Sequence, residues 1–423
     1  MNQQQIAELA PQFTGFLKGF RPYFATACGF EHLGTYSRGL LSDLDRKSVE
    51  PIALAAGCAV RTLQEFLTFH TWDQRAVADK LQLRLVARDM PAPGKPLDSL
   101  GVIALVDETS VAKKGTKTPG VQRQYCGAAG KIENCIVTVH LGYLYRDFKC
   151  LIDSGLFLSE GWSNDRDRCR EAGIPDLLVY RSKWQISLEQ ITRAIGNGVK
   201  FNWVVFDEYY GGKPGYLFGL DRLGLHWIGE IPKNFLCWPT LPPYDSPQAP
   251  FASKRADNAA RWGKPFRKTT WRTIELPHQT EGPALWKAKA GRVHLVQDGR
   301  PTVRKYWLIV AENLKTGEVK YFVSNAPPKT PLALLLRVAF QRWNVEHAFR
   351  VAKSEIGFSH YEGRSYQGLM RHMVLCQLAM LFLAEQTAQL RGEKPGAHLG
   401  TNRASSQRDL PPLADSPLPR APA

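Results

Sequence analysis

The chain has 423 residues, with 44% hydrophobic and 22% charged side chains and a net charge of +16. That is ordinary globular composition, long enough for two or three domains, and its excess positive charge favours a polyanionic partner, nucleic acid before membrane surface. The eight cysteines form no C-x-x-C pair and none sits at zinc-ligand spacing with a histidine, so a zinc site is excluded and free thiols in a cytoplasmic protein are expected. The start, MNQQQIAELAPQF, lacks the pattern of a signal peptide, and the longest apolar run, Met373 to Ala384, is too short to span a bilayer and reads as a buried helix.

Residues 1–90 read as a helical N-terminal domain expected to bind DNA, with helices over Ile6 to Leu17, Phe20 to Leu41, Val49 to Ala55, Arg61 to Thr68 and Trp72 to Arg88. A helical packing or oligomerisation unit is the alternative. The Pro- and Gly-containing stretch from Met90 is a linker.

From residue 99 to 231 the pattern changes to strands. Gly101 to Asp107 is an apolar run ending in an acid, the mark of a buried strand. A basic loop with Lys113 and Lys114 follows, then strands at Arg123 to Cys126, Cys135 to Leu144 and Arg146 to Leu158. Helices are expected at Asn164 to Ala172 and Ser187 to Gly196, the second with Ser187 and Gln190 as a capping box. Phe201 to Asp207 is a further strand ending in an acid. Residues just past the carboxyl ends of such strands line the active crevice of an open α/β sheet. A lone strand-end Asp is more often a turn former; two of them, Asp107 and Asp207, are less ordinary.

Residues 232–330 read as a β-rich insertion. Basic residues alternate there with aromatics, among them Trp271 and Trp286, a mixture suited to a nucleic-acid groove. A solvated β-surface over a Trp-anchored core is the alternative. Residues 331–390 hold two helices, Leu334 to Gly357 and Tyr366 to about Leu390, and residues 391–423 read as a disordered tail. On the first helix, at about 100° per residue, Arg342, Glu346 and Lys353 fall on one narrow stripe. Read alone, this stripe is a solvated face with Glu346 paired to Arg350. Beside two strand-end aspartates it can instead hold a metal ion next to a phosphate. Three carboxylates without a Cys/His site call for a hard cation such as Mg²⁺. A carboxylate-pair glycosidase fits the residue types but leaves the charge unexplained.

Three blocks carry a family resemblance: Asp107-Glu-Thr-Ser-Val-Ala-Lys-Lys-Gly with Arg123-Gln-Tyr-Cys-Gly-Ala-Ala-Gly-Lys and Glu133-Asn-Cys; Phe206-Asp207; and Arg342-x3-Glu346-x6-Lys353. Over residues 30 to 385 the chain resembles bacterial DDE transposases of the insertion-sequence 701 family, which are related to the insertion-sequence 4 type. The resemblance implies an α/β fold: an RNase H-like mixed-sheet catalytic core with a β-rich insertion and a helical N-terminal domain. It implies Asp107, Asp207 and Glu346 as catalytic metal ligands for two Mg²⁺ (or Mn²⁺) ions. Arg342 and Lys353 would contact phosphates near the cleaved bond, and Lys113, Lys114 and Arg123 are further candidates for DNA contact. In related enzymes a flipped base stacks on aromatics of the insertion, a place open to Trp271 or Trp286. The implied partners are double-stranded DNA, both transposon ends and target, and a second copy in a synaptic homodimer. The implied location is cytoplasmic, with no membrane. The chain departs from the family signature at its Tyr, where Ala339 stands with Phe340 beside it. A DNA-binding protein without catalysis, and a nuclease that cuts without joining, remain alternatives.

Overall fold

The computed structural model describes residues 3–88, 100–241, 253–276 and 284–393. The expected linker and nearly all of the expected tail lie outside them.

The N-terminal helices are α1 (Gln3–Lys18), α2 (Ala27–Leu41), α3 (Val49–Ala55), α4 (Val60–Thr68) and α5 (Gln74–Arg88). The expected helix from Phe20 begins later. Thr26 caps α2, its Oγ1 accepting from Gly29 N at 3.0 Å, because Phe24 is drawn into an extended bridge with Trp72.

The core follows as β1 (Val102–Ala112), β2 (Gln122–Cys126), β3 (Lys131–Tyr145), β4 (Phe148–Leu156), α6 (Glu160–Asn164), α7 (Arg166–Glu171), α8 (Lys183–Gly196), β5 (Trp203–Phe206), α9 (Glu208–Gly211), α10 (Pro214–Arg222) and β6 (Trp227–Ile231). Its strand order is β4-β3-β1-β5-β6. The first three strands form an antiparallel meander, while β5 and β6 run parallel to β1. This is the RNase H-like arrangement the family resemblance implied. The cap of α8 lies five residues before the expected one. Ser182 and Gln185 form its capping box, whereas Ser187 is buried in the helix with its hydroxyl 3.0 Å from Tyr216 Oη.

The insertion comprises β7 (Leu236–Trp238), β8 (Lys254–Arg255), α11 (Ala256–Trp262), β9 (Arg272–Leu276), β10 (Ala284–Gln297), β11 (Arg300–Asn313) and β12 (Val319–Ser324). It continues the core sheet: β12 pairs β6 antiparallel, and β11, β10, β7 and β8 extend the sheet outward.

The expected long helix is broken into segments: α12 (Leu332–Ala339), a 3₁₀ turn at Phe340–Arg342, α13 (Trp343–Val351) and a π turn at Ala352–Ile356. Gly357 ends it at φ +78°, a left-handed position where a Cβ would stand 2.6 Å from Lys47 Cβ. The π turn lies at a position where such bulges often mark functional sites.

The last helix, α14 (Tyr366–Glu393), runs past the expected start of the tail. By length and composition it could cross a membrane, yet it is mostly buried. It packs on β4 and against α2, α4 and α5. The N-terminal helices and the sheet therefore share one hydrophobic cluster, which includes a tilted Phe13–Phe382 contact at 4.7 Å.

Candidate active site

Parallel pairing aligns Ile103 with Trp203, Ala104 with Val204 and Leu105 with Val205. Asp107 and Asp207 each stand two residues beyond the last of these pairs, so the register brings them side by side. Asp207 ends β5 and caps α9: its Oδ1 accepts from Tyr209 N at 3.0 Å and Tyr210 N at 3.4 Å. Two glycines allow this tight turn. A Cβ on Gly229 would lie 1.8 Å from the Phe206 ring, and one on Gly211 would lie 1.9 Å from Glu230 O.

The two aspartates are like charges in a partly buried setting. Burial first, then the Asp207 charge, raises the Asp107 carboxyl well above its usual range, with Arg342 opposing. Asp207 is pushed up to about 6, by burial first and then by Glu108. Such carboxylates need a nearby cation to remain ionised.

Arg342 is that cation in this structure. Its Nη1 donates to Asp107 Oδ2 at 3.3 Å and its Nη2 to Glu346 Oε1 at 2.5 Å. Burial works against its charge, but Asp107, Glu346 and Asp207 outweigh it and raise its pKa. The partner of Glu346 is thus Arg342 and not Arg350. Lys353 reaches the same strand three residues on, its Nζ 3.5 Å from Ser110 O, and burial lowers its pKa.

The remaining candidates are spread more widely. Lys113 donates to Tyr361 O at 2.5 Å and is lowered to about 8 by burial, then by Arg46. Lys114 and Arg123 are exposed near the β2–β3 hairpin. Trp271 is 44% exposed, with Lys287 Nζ 5.4 Å and Lys289 Nζ 5.0 Å from its ring centroid. Trp286 is a correction: it is buried, 4.7 Å from the Phe340 ring, and offers no face to a base. Phe340 thereby ties the insertion to the segment carrying Glu346.

Glu108 was not singled out by its sequence. Successive strand residues face opposite sides, so Glu108 points away from Arg342 towards α8. Lys183 Nζ lies 2.5 Å from its Oε1 and 4.7 Å from the Tyr209 ring centroid. The only available signal was the Asp-Glu pair repeated after both apolar runs.

Among the described residues no group of three His, Cys, Asp or Glu side chains is already gathered for a metal ion. The donor chemistry nevertheless fits a hard divalent cation: all three groups are carboxylates, two are partly buried and repel each other, and the third is joined to Asp107 through one guanidinium. Asp107, Asp207 and Glu346 are the residues that would hold it.

Residues 19–283 match the family model described as DDE superfamily endonuclease. The chain belongs to the DDE endonuclease superfamily. The matched span carries Asp107 and Asp207 and ends before Glu346. The chain is also 26% identical over 356 residues, 83% of its own length and 81% of the relative's, to a protein from Microchaete diplosiphon named as a probable transposase for insertion sequence element IS701. The resemblance to DDE transposases of the IS701 type and the RNase H-like fold are thus borne out.

Proposed function

We propose that this DDE endonuclease is a DNA transposase that cleaves insertion-sequence ends and joins the freed 3′-OH to target DNA. One observation carries the reading: two partly buried aspartates set side by side, Asp107 within β1 and Asp207 just past the end of the parallel strand β5, with Arg342 linking Asp107 to a glutamate on a later helix. Asp107, Asp207 and Glu346 are the proposed catalytic ligands of two Mg²⁺ (or Mn²⁺) ions. Bound there, such ions lower the pKa of a water molecule and neutralise charge on the attacking and leaving oxygens.

The protein's own groups bind and orient. Arg342 offers a planar fork to a phosphate, and Lys353 adds a point charge farther along β1. Lys113, Lys114 and Arg123 hold the duplex backbone, supported by the net charge of +16. Trp271, flanked by two lysines, takes an unstacked base. The N-terminal helices are assigned to DNA binding, and two copies are assigned to pair the ends. Water attack on a phosphodiester at the element end leaves a 5′-phosphate and releases a 3′-OH; that 3′-OH then attacks a target phosphodiester, forming a new ester bond and displacing the target's own 3′-oxygen, with no covalent enzyme intermediate.

The test is purified protein with Mg²⁺ and DNA carrying both element ends plus a target plasmid. Joined end–target strands are expected. Cleaved ends without joined product would instead mark a nuclease, and salt-sensitive binding without cleavage would mark a DNA-binding protein.

A further inference from the structure

Arg342 holds oxygens that a shared cation would need. Asp107 Oδ1 already accepts from Glu108 N at 2.8 Å, and Oδ2 accepts from Arg342 Nη1 at 3.3 Å. Glu346 Oε1 accepts from the other arm of the same guanidinium at 2.5 Å. An ordinary i,i+4 ion pair on a solvated helix would not include Asp107, which comes from another element 235 residues away and is 14% exposed. The fork therefore spans the gap that a divalent ion ligated by both carboxylates would occupy. Magnesium-type ions sit about 2.1 Å from their oxygen ligands, too close for a guanidinium to keep its place between the same two groups.

We propose that Arg342 is a built-in competitor of the catalytic cation. It neutralises Asp107 and Glu346 while they hold no metal. When a divalent ion takes these oxygens, the guanidinium is released, and its planar fork is free to bind a DNA phosphate. Phosphate draws Arg342 away from the acids, and metal pushes it towards phosphate. Each ligand thus favours the state the other needs, and by linkage each tightens the other's binding. Metal loading is then weak on the free protein and strong on the DNA complex, which restrains cleavage away from a docked end. This inference rests on the proposed role of the three acids.

The test is Mn²⁺ binding to the full chain without DNA, read from the free-ion paramagnetic resonance signal. Arg342→Gln is expected to bind Mn²⁺ at least tenfold more tightly than wild type. Arg342→Lys keeps a positive charge but reaches one carboxylate at a time, so its affinity should fall between the two. Duplex DNA, after subtraction of the ion it binds alone, should tighten Mn²⁺ binding to wild type and do so much less for Arg342→Gln. The inference is overturned if Arg342→Gln binds Mn²⁺ no more tightly than wild type while Asp107→Asn loses binding. It is equally overturned if Arg342→Lys matches wild type, because the charge alone would then account for the effect. Wild-type Mn²⁺ affinity in Asp107→Asn would overturn the assignment of the acids themselves.

Discussion

Asp207→Asn is expected to make the protein more stable above pH 6, with a chelator present. The Asp207 carboxyl is raised to about 6 by burial and by the Glu108 charge, against an ordinary value of 3.8. The folded state therefore holds this proton more tightly than the unfolded chain. The resulting stability is full below about pH 4 and is lost as pH rises through about 6. At about 1.4 kcal/mol per pH unit the loss is on the order of 3 kcal/mol. Asparagine keeps an oxygen for the amides of Tyr209 and Tyr210 while removing the buried charge. Urea unfolding at pH 4 to 8 checks this. Wild type should weaken across the interval, the variant should weaken less because Asp107 alone keeps a raised carboxyl, and Mg²⁺ should recover stability only in wild type. A variant less stable than wild type at pH 8 would mean that the Asp207 charge is itself stabilising.

Arg371→Met is expected to cost about 2–3 kcal/mol, from buried carbonyls that lose a charged donor, although Phe66 O keeps Trp72 Nε1 and His70 O keeps Trp72 N. Arg371 is 1% exposed. Its guanidinium donates to Phe66 O at 3.3 Å, Leu67 O at 3.2 Å, His70 O at 2.8 Å and Trp72 O, and lies 4.5 Å from the Trp72 ring centroid. These are carbonyls at and beyond the end of α4, where a cation also suits the helix dipole. Burial lowers its pKa to about 10, so it remains charged at neutral pH. Methionine fills much of the volume but supplies no donor. Because α14 and the N-terminal helices share one core, the whole chain should unfold at lower denaturant in a single step. A loss below about 1 kcal/mol would show that solvent or rearranged side chains satisfy these carbonyls at little cost.

The two aspartates were legible because each follows a short, continuous apolar run, a pattern that needs no partner to be recognised; only Asp207 ends its strand, whereas β1 continues past Asp107 to Ala112 because β3 pairs with it throughout. Glu346 was legible from its spacing to Arg342 and Lys353. The breaks around it were not: 3₁₀, α and π turns keep nearly the same apolar periodicity, and only the backbone separates them. The α8 cap shows a similar ambiguity. Ser182 and Ser187 each have Gln three residues on, and the burial of Ser187 against Tyr216 decides between them. The bridge from Arg342 to Asp107 spans 235 residues and has no local signature. Trp286 could have been separated from Trp271 by strand alternation. Trp286 and Ala288 point inward on β10, while Lys287 and Lys289 turn outward to Trp271.

The most direct measurement is the single-turnover rate of Mg²⁺-dependent cleavage of element-end DNA by wild type, Asp107→Asn, Asp207→Asn and Glu346→Gln, with DNA affinity measured alongside. Each variant should lose at least about a thousandfold in rate, roughly 4 kcal/mol of barrier, while still binding the DNA. Cleavage at the wild-type rate by any one of the three would contradict a single active site built from these acids.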